Sequence, residues 1–412
     1  MLFAEPSFLT NLRSVCGSFK RIRERLFNLH KMKKVSVIIP TKNEEKTIGT
    51  CLQKIQEVFN EHHISGEIIV ADNSTDKTPE IAKSFGAKVV TPDRLGYGYA
   101  YQFGFRHAQG DYIVMGDGDG TYDFGYIPQF IEPLERKEAD LVIGSRFKGR
   151  IEKGAMPWLH RYIGNPILTM FLNLFFKIGV SDAHCGLRAF TKEALERMHF
   201  NTDGMEFASE MLIQAARKKL RIKEVPITYY PRKGKSKLSS FSDGWRHLKF
   251  MLLHAPTYLY IIPGAVFLLI GALILVAGWF HLNIGYTPGV HSMIAGSLLF
   301  ICGYQVIFLG LFAKIYGISH DLLDPDKITE FTSKYLSLEK GATLGLIMFL
   351  VGLSYTLYLI WKWVDSGYKA LPVRGENMVA FTLLVIGLQM IFSSFFLSMI
   401  GGQKRDKTAK VV

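Results

Sequence analysis

Asp117 and Asp119 flank Gly118 in the run MGDGDGTYDF. Carboxylates that close repel each other unless a cation holds them. A hard divalent ion carrying a diphosphate suits such a pair, because Mg2+ is usually bound by one or two carboxylates together with substrate phosphates. Gly118 and Gly120 allow the backbone to approach a ligand closely. Two other runs share this polar make-up: Pro40-Thr41-Lys42-Asn43-Glu44 and Asp72-Asn73-Ser74-Thr75-Asp76. Asp76 reads as turn and helix-capping chemistry.

Each of these runs follows a short apolar segment. Strands are expected at Lys34–Ile39, Glu67–Ala71, Lys88–Thr91, Asp111–Met115 and Asp140–Gly144. Helices are expected between them, at Glu44–Asn60, Pro79–Phe85, Tyr99–Ala108 and Pro128–Arg136. Strands alternating with helices imply an α/β domain with a mostly parallel sheet covered on both faces. Ligands of such sheets bind at the carboxyl ends of the strands. The three polar runs all lie there, so they should meet on one rim.

The 412 residues carry 49 Lys+Arg against 36 Asp+Glu, a net charge of +13, with 48% hydrophobic residues. These averages exclude a disordered or collagen-like chain. Cys16, Cys51, Cys185 and Cys302 form no CxxC pair, which excludes a disulfide scaffold or zinc ribbon. The charge is uneven. From Phe250 to Ala313 there is no Lys, Arg, Asp or Glu. Four segments are long and apolar enough to span a bilayer: Thr257–Phe280, His291–Ala313, Gly341–Trp361 and Asn377–Gln403. Loop and tail lysines and arginines place the N-terminal half, the middle loop Ile318–Lys340 and the C-terminus on the cytoplasmic side. Residues 1–32 read as a basic amphipathic extension without the apolar core of a secretory signal. The expected organisation is a catalytic domain over 33–240, a juxtamembrane helix over 241–256, the spans over 257–403 and a basic tail over 404–412. Pro157–Lys177, rich in Trp, Leu and Phe, is expected to lie in the membrane interface.

The soluble half resembles a family 2 glycosyltransferase of the GT-A (Rossmann-like) fold, in the polyprenyl-phosphate or dolichol-phosphate hexose synthase group. The resemblance covers about Lys33 to Leu253. It rests on SVIIPTKNEE, VADNSTDKT, GYGYAYQFGFRHAQGDYIVMGDGDG, VIGSRF, DAHCGLRAF, EVPI and the spacing of Arg232, Gly234, Ser236 and Lys237. It implies nucleotide contacts from Pro40, Asn43, Glu44, Asp72 and Ser74. It implies Mg2+ or Mn2+ and the diphosphate on Asp117, Gly118 and Asp119. Relatives place a Gln two residues further on; here Thr121 stands there, so Thr121, Asp123 or water would complete the metal shell. Arg146 and Arg161 match basic residues on the lipid-phosphate side, and Arg232, Ser236 and Lys237 a loop that closes over the diphosphate. Asp182 and Arg188 are expected to orient the site or pair with each other. Glu210 is expected near the sugar, and Glu206 either there or at a helix cap.

The implied activity is inverting transfer of one hexose, from UDP-glucose or GDP-mannose, to a membrane polyprenyl or dolichyl phosphate. The partners are then a nucleotide sugar, the lipid phosphate and the bilayer, with no nucleic acid and possible homo-oligomers. A lipid phosphate is already anionic at neutral pH, so no catalytic base is nominated. A processive synthase would carry Q-x-x-R-W, but Lys218 follows Gln214-Ala-Ala-Arg217. A non-catalytic nucleotide-sugar-binding membrane protein would be expected to have lost Asp117 and Asp119.

Overall fold

The computed structural model of the chain describes residues 34–402 apart from 235–239, 284, 336, 370, 372 and 373. The N-terminal extension, Ser236, Lys237 and the basic tail therefore lie outside the described residues. Two compact units divide between Leu248 and Lys249.

The first unit is built on a seven-stranded sheet in the order β3-β2-β1-β4-β6-β5-β7. Its strands are β1 Val35–Thr41, β2 Gly66–Asp72, β3 Lys88–Val90, β4 Tyr112–Met115, β5 Leu141–Ile151, β6 Arg188–Thr191 and β7 Ile222–Tyr229. All run parallel except β6, which is antiparallel to both of its neighbours. The helices of this unit are α1 Ile48–Glu61, α2 Thr78–Ser84, α3 Tyr97–Phe105, α4 Ile127–Glu135, α5 Asn165–Phe176, α6 Lys192–Arg197 and α7 Phe207–Arg217. Runs of Val and Ile suit strands that are covered on both faces. Val37, Ile38, Ile39, Ile69, Val70, Val114, Val142 and Ile143 accordingly form the buried centre. Helix α1 presents Ile48, Leu52, Ile55 and Val58 on one stripe and buries them.

The five expected strands and four expected helices are all present with shifted ends. Strands β6 and β7 are additional. β6 is four residues long and begins with an arginine, so neither length nor alternation announces it. β7 contains Pro226, which lacks the N–H of a ladder donor and is tolerated here because β7 is an edge strand.

α8, Ser240–Leu253, runs across the division between the units. The second unit holds four helices long and apolar enough to cross a membrane: Thr257–Trp279, Val290–Ser319, Leu338–Asp365 and Gly375–Gly401. They comprise a π turn followed by α9 (Ile262–Trp279), then α10 (Val290–Ser319), α12 (Leu338–Asp365) and α13 (Gly375–Gly402), with a short α11 (Lys327–Tyr335) between the second and third. Backbones touch where α9 meets α10: a Cβ on Gly271 would come within 2.5 Å of Phe300 N and 2.6 Å of Gly296 O. Small residues permit this approach, which supplies packing where lipid offers no hydrophobic gradient. Tyr304, Phe308, Leu311, Ile386, Met390 and Leu397 fill the centre, while Leu269, Leu273, Phe392 and Phe395 point outward. That apolar outside is stable only against hydrocarbon. The middle connection, expected to be a loop, also contains Asp326, which pairs with the buried Lys314.

Candidate active site

The carboxyl ends of β1 and β2 are in register, Thr41 opposite Asp72, and the loops that follow are stitched together. Asn43 takes a left-handed backbone, φ 56°, a conformation that Asn tolerates better than most residues. There its N–H donates to Ser74 Oγ (2.7 Å) and its Oδ1 accepts from Thr75 N (2.8 Å). Glu44 N donates to Thr78 Oγ1 (2.9 Å), and Asp76 accepts from Thr78 N and Oγ1, the capping role expected of it. Asp72, only 4% exposed, accepts from Thr41 Oγ1 and Ser74 Oγ at 2.6 Å each and from Ser74 N at 3.1 Å. Pro40 is the penultimate residue of β1, opposite Ala71. These bonds make one rigid polar shelf of the first two loops.

The third loop joins the shelf through Thr47, whose hydroxyl donates to Gly118 O at 2.7 Å. Asp119 Oδ1 accepts from Thr121 N (3.0 Å) and Thr121 Oγ1 (2.6 Å). Thr121 thus aims the Asp119 carboxylate through its hydroxyl proton. Asp123 accepts from Gly125 N and caps a short 3-10 turn. Among the described residues, no group of three His, Cys, Asp or Glu forms a metal cage. Arg232 reaches across the rim, with Nη2 2.6 Å from Glu44 Oε1 and Nη1 3.5 Å from Asp119 Oδ2.

Asp117 is gripped differently. Tyr97 and Tyr101, one turn apart on α3, both donate hydroxyls to its Oδ1 at 3.1 Å. On its other side a Cβ at Gly186 would come within 2.8 Å of Oδ2, so glycine is required there. Burial, and then the Asp119 charge, push the Asp117 carboxyl up from the usual carboxylate range to about 7. The repulsion that the spacing implied is therefore built into the fold, and a divalent cation would relieve it. Two hard carboxylate oxygen sets fit Mg2+ or Mn2+ better than softer metals.

The elevated Asp117 has a sign that can be tested. Its folded value lies above the unfolded one of about 3.9, so folded protein holds a proton that unfolded chain has released. Stability from this group is present below the unfolded value and is lost as pH rises through about 7. Metal-stripped Asp117→Asn is therefore expected to melt higher than metal-stripped wild type at about pH 8, with the gap shrinking towards about pH 5. Melting curves in chelator at both pH values check this, and a gap independent of pH would refute it.

The remaining expected residues separate. Arg146 and Asp182 form a bidentate pair, Nε–Oδ2 2.7 Å and Nη2–Oδ1 2.7 Å, with Arg146 N also donating to Oδ2 at 3.0 Å. Both are buried, and the guanidinium lies over the Tyr229 ring. The expected Asp182–Arg188 pair is thus replaced by Asp182–Arg146. Arg188 instead donates to the carbonyls of Cys185, Ala208 and Ala183. Sequence order favoured the nearer arginine, but β5 brings Arg146 alongside. Glu210 is buried with both oxygens occupied, by Asn201 N on one and by Thr202 N and Oγ1 on the other. It holds the loop before α7, while Glu206 retains a buried, unpartnered Oε2. Arg161 sits on the segment leading into α5, its cation over the Tyr162 ring.

Tyr97, Tyr101 and Gly186 are site residues that the motif reading passed over. The signal was available: GYGYAY places two tyrosines four apart, on one helical face. Ser209 and His247 are buried, with Ser209 Oγ 2.9 Å from His247 Nδ1, and the half-buried His184 ring packs edge-on against His247.

Two family descriptions match this chain. "Glycosyl transferase family 2" covers residues 36–198, and "Glycosyltransferase family 2 C-terminal transmembrane region" covers 311–401. The second falls on the apolar helices, and the protein is an integral membrane protein. The low-salt glycan biosynthesis hexosyltransferase Agl6 of Haloferax volcanii is 46% identical over 89% of this chain and 89% of its own length. A dolichyl-phosphate hexose transferase of the same organism is 34% identical over 51% of this chain and 89% of its own. Among solved structures, glucosyl-3-phosphoglycerate synthase of Mycobacterium tuberculosis with Mn2+, uridine diphosphate and glucosyl-3-phosphoglycerate is 23% identical, with a TM-score of 0.44, over 54% of this chain and 79% of that one. Likeness to Agl6 running nearly end to end, from the aspartate rim through the apolar helices, places the chain in glycosyltransferase family 2.

Proposed function

We propose that the protein transfers one hexose, with inversion, from a nucleotide sugar to a polyprenyl or dolichyl phosphate in the bilayer, UDP-glucose and GDP-mannose being the leading donors. The observation that carries this reading is the side-by-side placement of Asp117 and Asp119 with Arg232 spanning the rim. Such a set would suit a metal-bound diphosphate. The names of the Haloferax relatives, a glycan biosynthesis hexosyltransferase and a dolichyl-phosphate hexose transferase, support the same class.

In this reading Asp117 and Asp119 would hold Mg2+ or Mn2+, which would supply positive charge where the leaving diphosphate gains negative charge. Arg232 exchanges its contacts to Glu44 and Asp119 for diphosphate oxygens, for which its planar fork is suited. Asp72, Asn43 and Ser74 form the shelf for the nucleoside. The lipid phosphate oxygen attacks the anomeric carbon as the bond to the diphosphate oxygen breaks, and the nucleoside diphosphate leaves with the electron pair. The segment from Trp158 to Leu174 exposes Trp158, Leu159, Tyr162, Ile163, Ile167, Met170 and Leu174, which suits a headgroup layer. The basic loops and tail support a catalytic unit on the cytoplasmic side.

The experiment supplies membranes containing the protein with each labelled nucleotide sugar and added polyprenyl phosphate, then extracts the lipid. Label is expected in the lipid with one donor, abolished by chelator, and the product anomer is inverted relative to that donor. Label in no lipid fraction for any donor would overturn the assignment.

A further inference from the structure

Two tyrosine hydroxyls sit on Asp117 Oδ1, and Oδ2 lies against Gly186, where a Cβ would stand 2.8 Å from it. The position of the Gly186 backbone therefore decides the room at Oδ2. The segment Asp182–Gly186 carries that backbone and is clamped from within the sheet and rim. Arg146 of β5 takes the Asp182 carboxylate, and Arg188 of β6 takes the carbonyls of Ala183 and Cys185. Gly186 N donates to Tyr122 Oη at 2.7 Å.

Two further clamps come from outside the sheet. Helix α5 buries only Thr169 and Leu172, while Ile167, Met170 and Leu174 are exposed. On this largely apolar helix the Thr169 hydroxyl accepts from Ala183 N at 3.2 Å. Ala183 is fully buried, so its N–H needs such a partner. Helix α8 exposes Trp245 but buries His247. His247 Nδ1 lies 2.9 Å from Ser209 Oγ, and the His247 ring meets His184 edge-on with centroids 4.6 Å apart. Burial pushes His247 down to about 4 and His184 well below its usual value, so both rings are neutral at neutral pH. Two consecutive residues, Ala183 and His184, are thus each gripped by a helix that otherwise looks outward. Arg146 and Arg188 already tie the segment to the sheet, so the outer contacts are not needed to close the core.

We propose that Thr169 and His247 are positioning residues for the divalent cation: they hold Ala183 and His184 from outside and, through Gly186, set the space in which Asp117 Oδ2 would meet the metal. The inference rests on the metal-dependent hexosyl-transfer reading and adds two residues that act on the cation only through others. Gly186 is three residues from Ala183 and two from His184. A shift of a few tenths of an ångström at either reaches a contact that has no slack. Groups that orient metal ligands from behind tune affinity without touching the ion, and a site is only as exact as the shell that supports it.

The test uses full-length protein in lipid nanodiscs. Mn2+ binding is read by electron paramagnetic resonance of the free ion, with uridine diphosphate and, separately, guanosine diphosphate at saturation, and hexose transfer is followed alongside. Thr169→Val and His247→Phe are each expected to weaken Mn2+ binding by about five- to thirty-fold, below the roughly ten- to hundred-fold typical of groups bonded directly to metal ligands. kcat at saturating Mn2+ should stay within about three-fold of wild type. Thr169→Ser keeps the hydroxyl and should bind Mn2+ within about two-fold of wild type. A merely structural role would lower the melting temperature and leave the Mn2+ constant of the folded protein where it was. If either variant fails to fold, Thr169→Ala or Ser209→Ala removes the same hydrogen bond and is read instead. Wild-type Mn2+ affinity in the variant of either contact overturns the role of that residue, and an equal loss in Thr169→Val and Thr169→Ser overturns the role of the hydroxyl. Wild type that binds no Mn2+ with either diphosphate overturns the metal-dependent reading itself, which separates the two failures.

Discussion

Asp119→Ala is expected to lower hexose transfer to lipid by at least about a thousand-fold, the scale of losing preorganised charge stabilisation at a leaving group. Asp119 is the better target of the two aspartates. Its Oδ1 is locked by Thr121 N and Oγ1, which leaves Oδ2 towards Arg232 and the rim. Asp119→Asn keeps the size but not the charge, and should be nearly as inactive as the alanine variant if a cation is the partner. Thr121→Val leaves the charge and removes only the hydroxyl that aims it, so its loss should be intermediate. Loss of Asp119 also removes the second-largest influence raising the Asp117 carboxyl, so Asp117 should titrate lower in the variant. Labelled-lipid assays across a Mn2+ titration check the series, and transfer by Asp119→Ala at wild-type level would sink the metal-dependent reading.

Much of this site was legible before the structure. Polar runs after β-branched segments predicted a rim, and parallel pairing of β1 with β2 and β4 does bring those segments side by side. The four apolar segments were visible from the absence of charge, because hydrocarbon imposes a length and a composition that few other contexts do. What could not be read was pairing across the sheet. Asp182 and Arg188 are six residues apart, yet Asp182 takes Arg146, delivered by the neighbouring β5. Glu210, expected near the sugar, is also the group that holds the loop at Asn201 and Thr202 with both of its oxygens. These choices depend on which buried group is satisfied by backbone, a property of the folded chain rather than of spacing. β6 and β7 escaped notice for a related reason: a buried arginine begins one and a proline interrupts the other, and both are tolerated only through their places in the sheet.

The Arg146–Asp182 pair gives the largest expected effect on stability. Asp182 is fully buried and Arg146 is 6% exposed. Removing either partner leaves an uncompensated charge in the interior, at a cost of roughly 3–5 kcal/mol. Arg146→Met strands the carboxylate, and Asp182→Leu strands a guanidinium packed over Tyr229. For a unit of this size each kcal/mol moves the midpoint by about 2–4 °C, so each single variant should melt roughly 6–20 °C below wild type. Hexose transfer should fall with it, since Asp182 anchors the segment that carries Gly186 against Asp117. Arg146→Met/Asp182→Leu removes both charges together and should recover most of the lost stability, because a buried pair replaced by apolar groups of similar volume is often neutral. Thermal melts of the four proteins in one detergent decide the matter. Single variants within about 2 °C of wild type, or a double variant no better than the singles, would show that the pair does not carry this part of the fold.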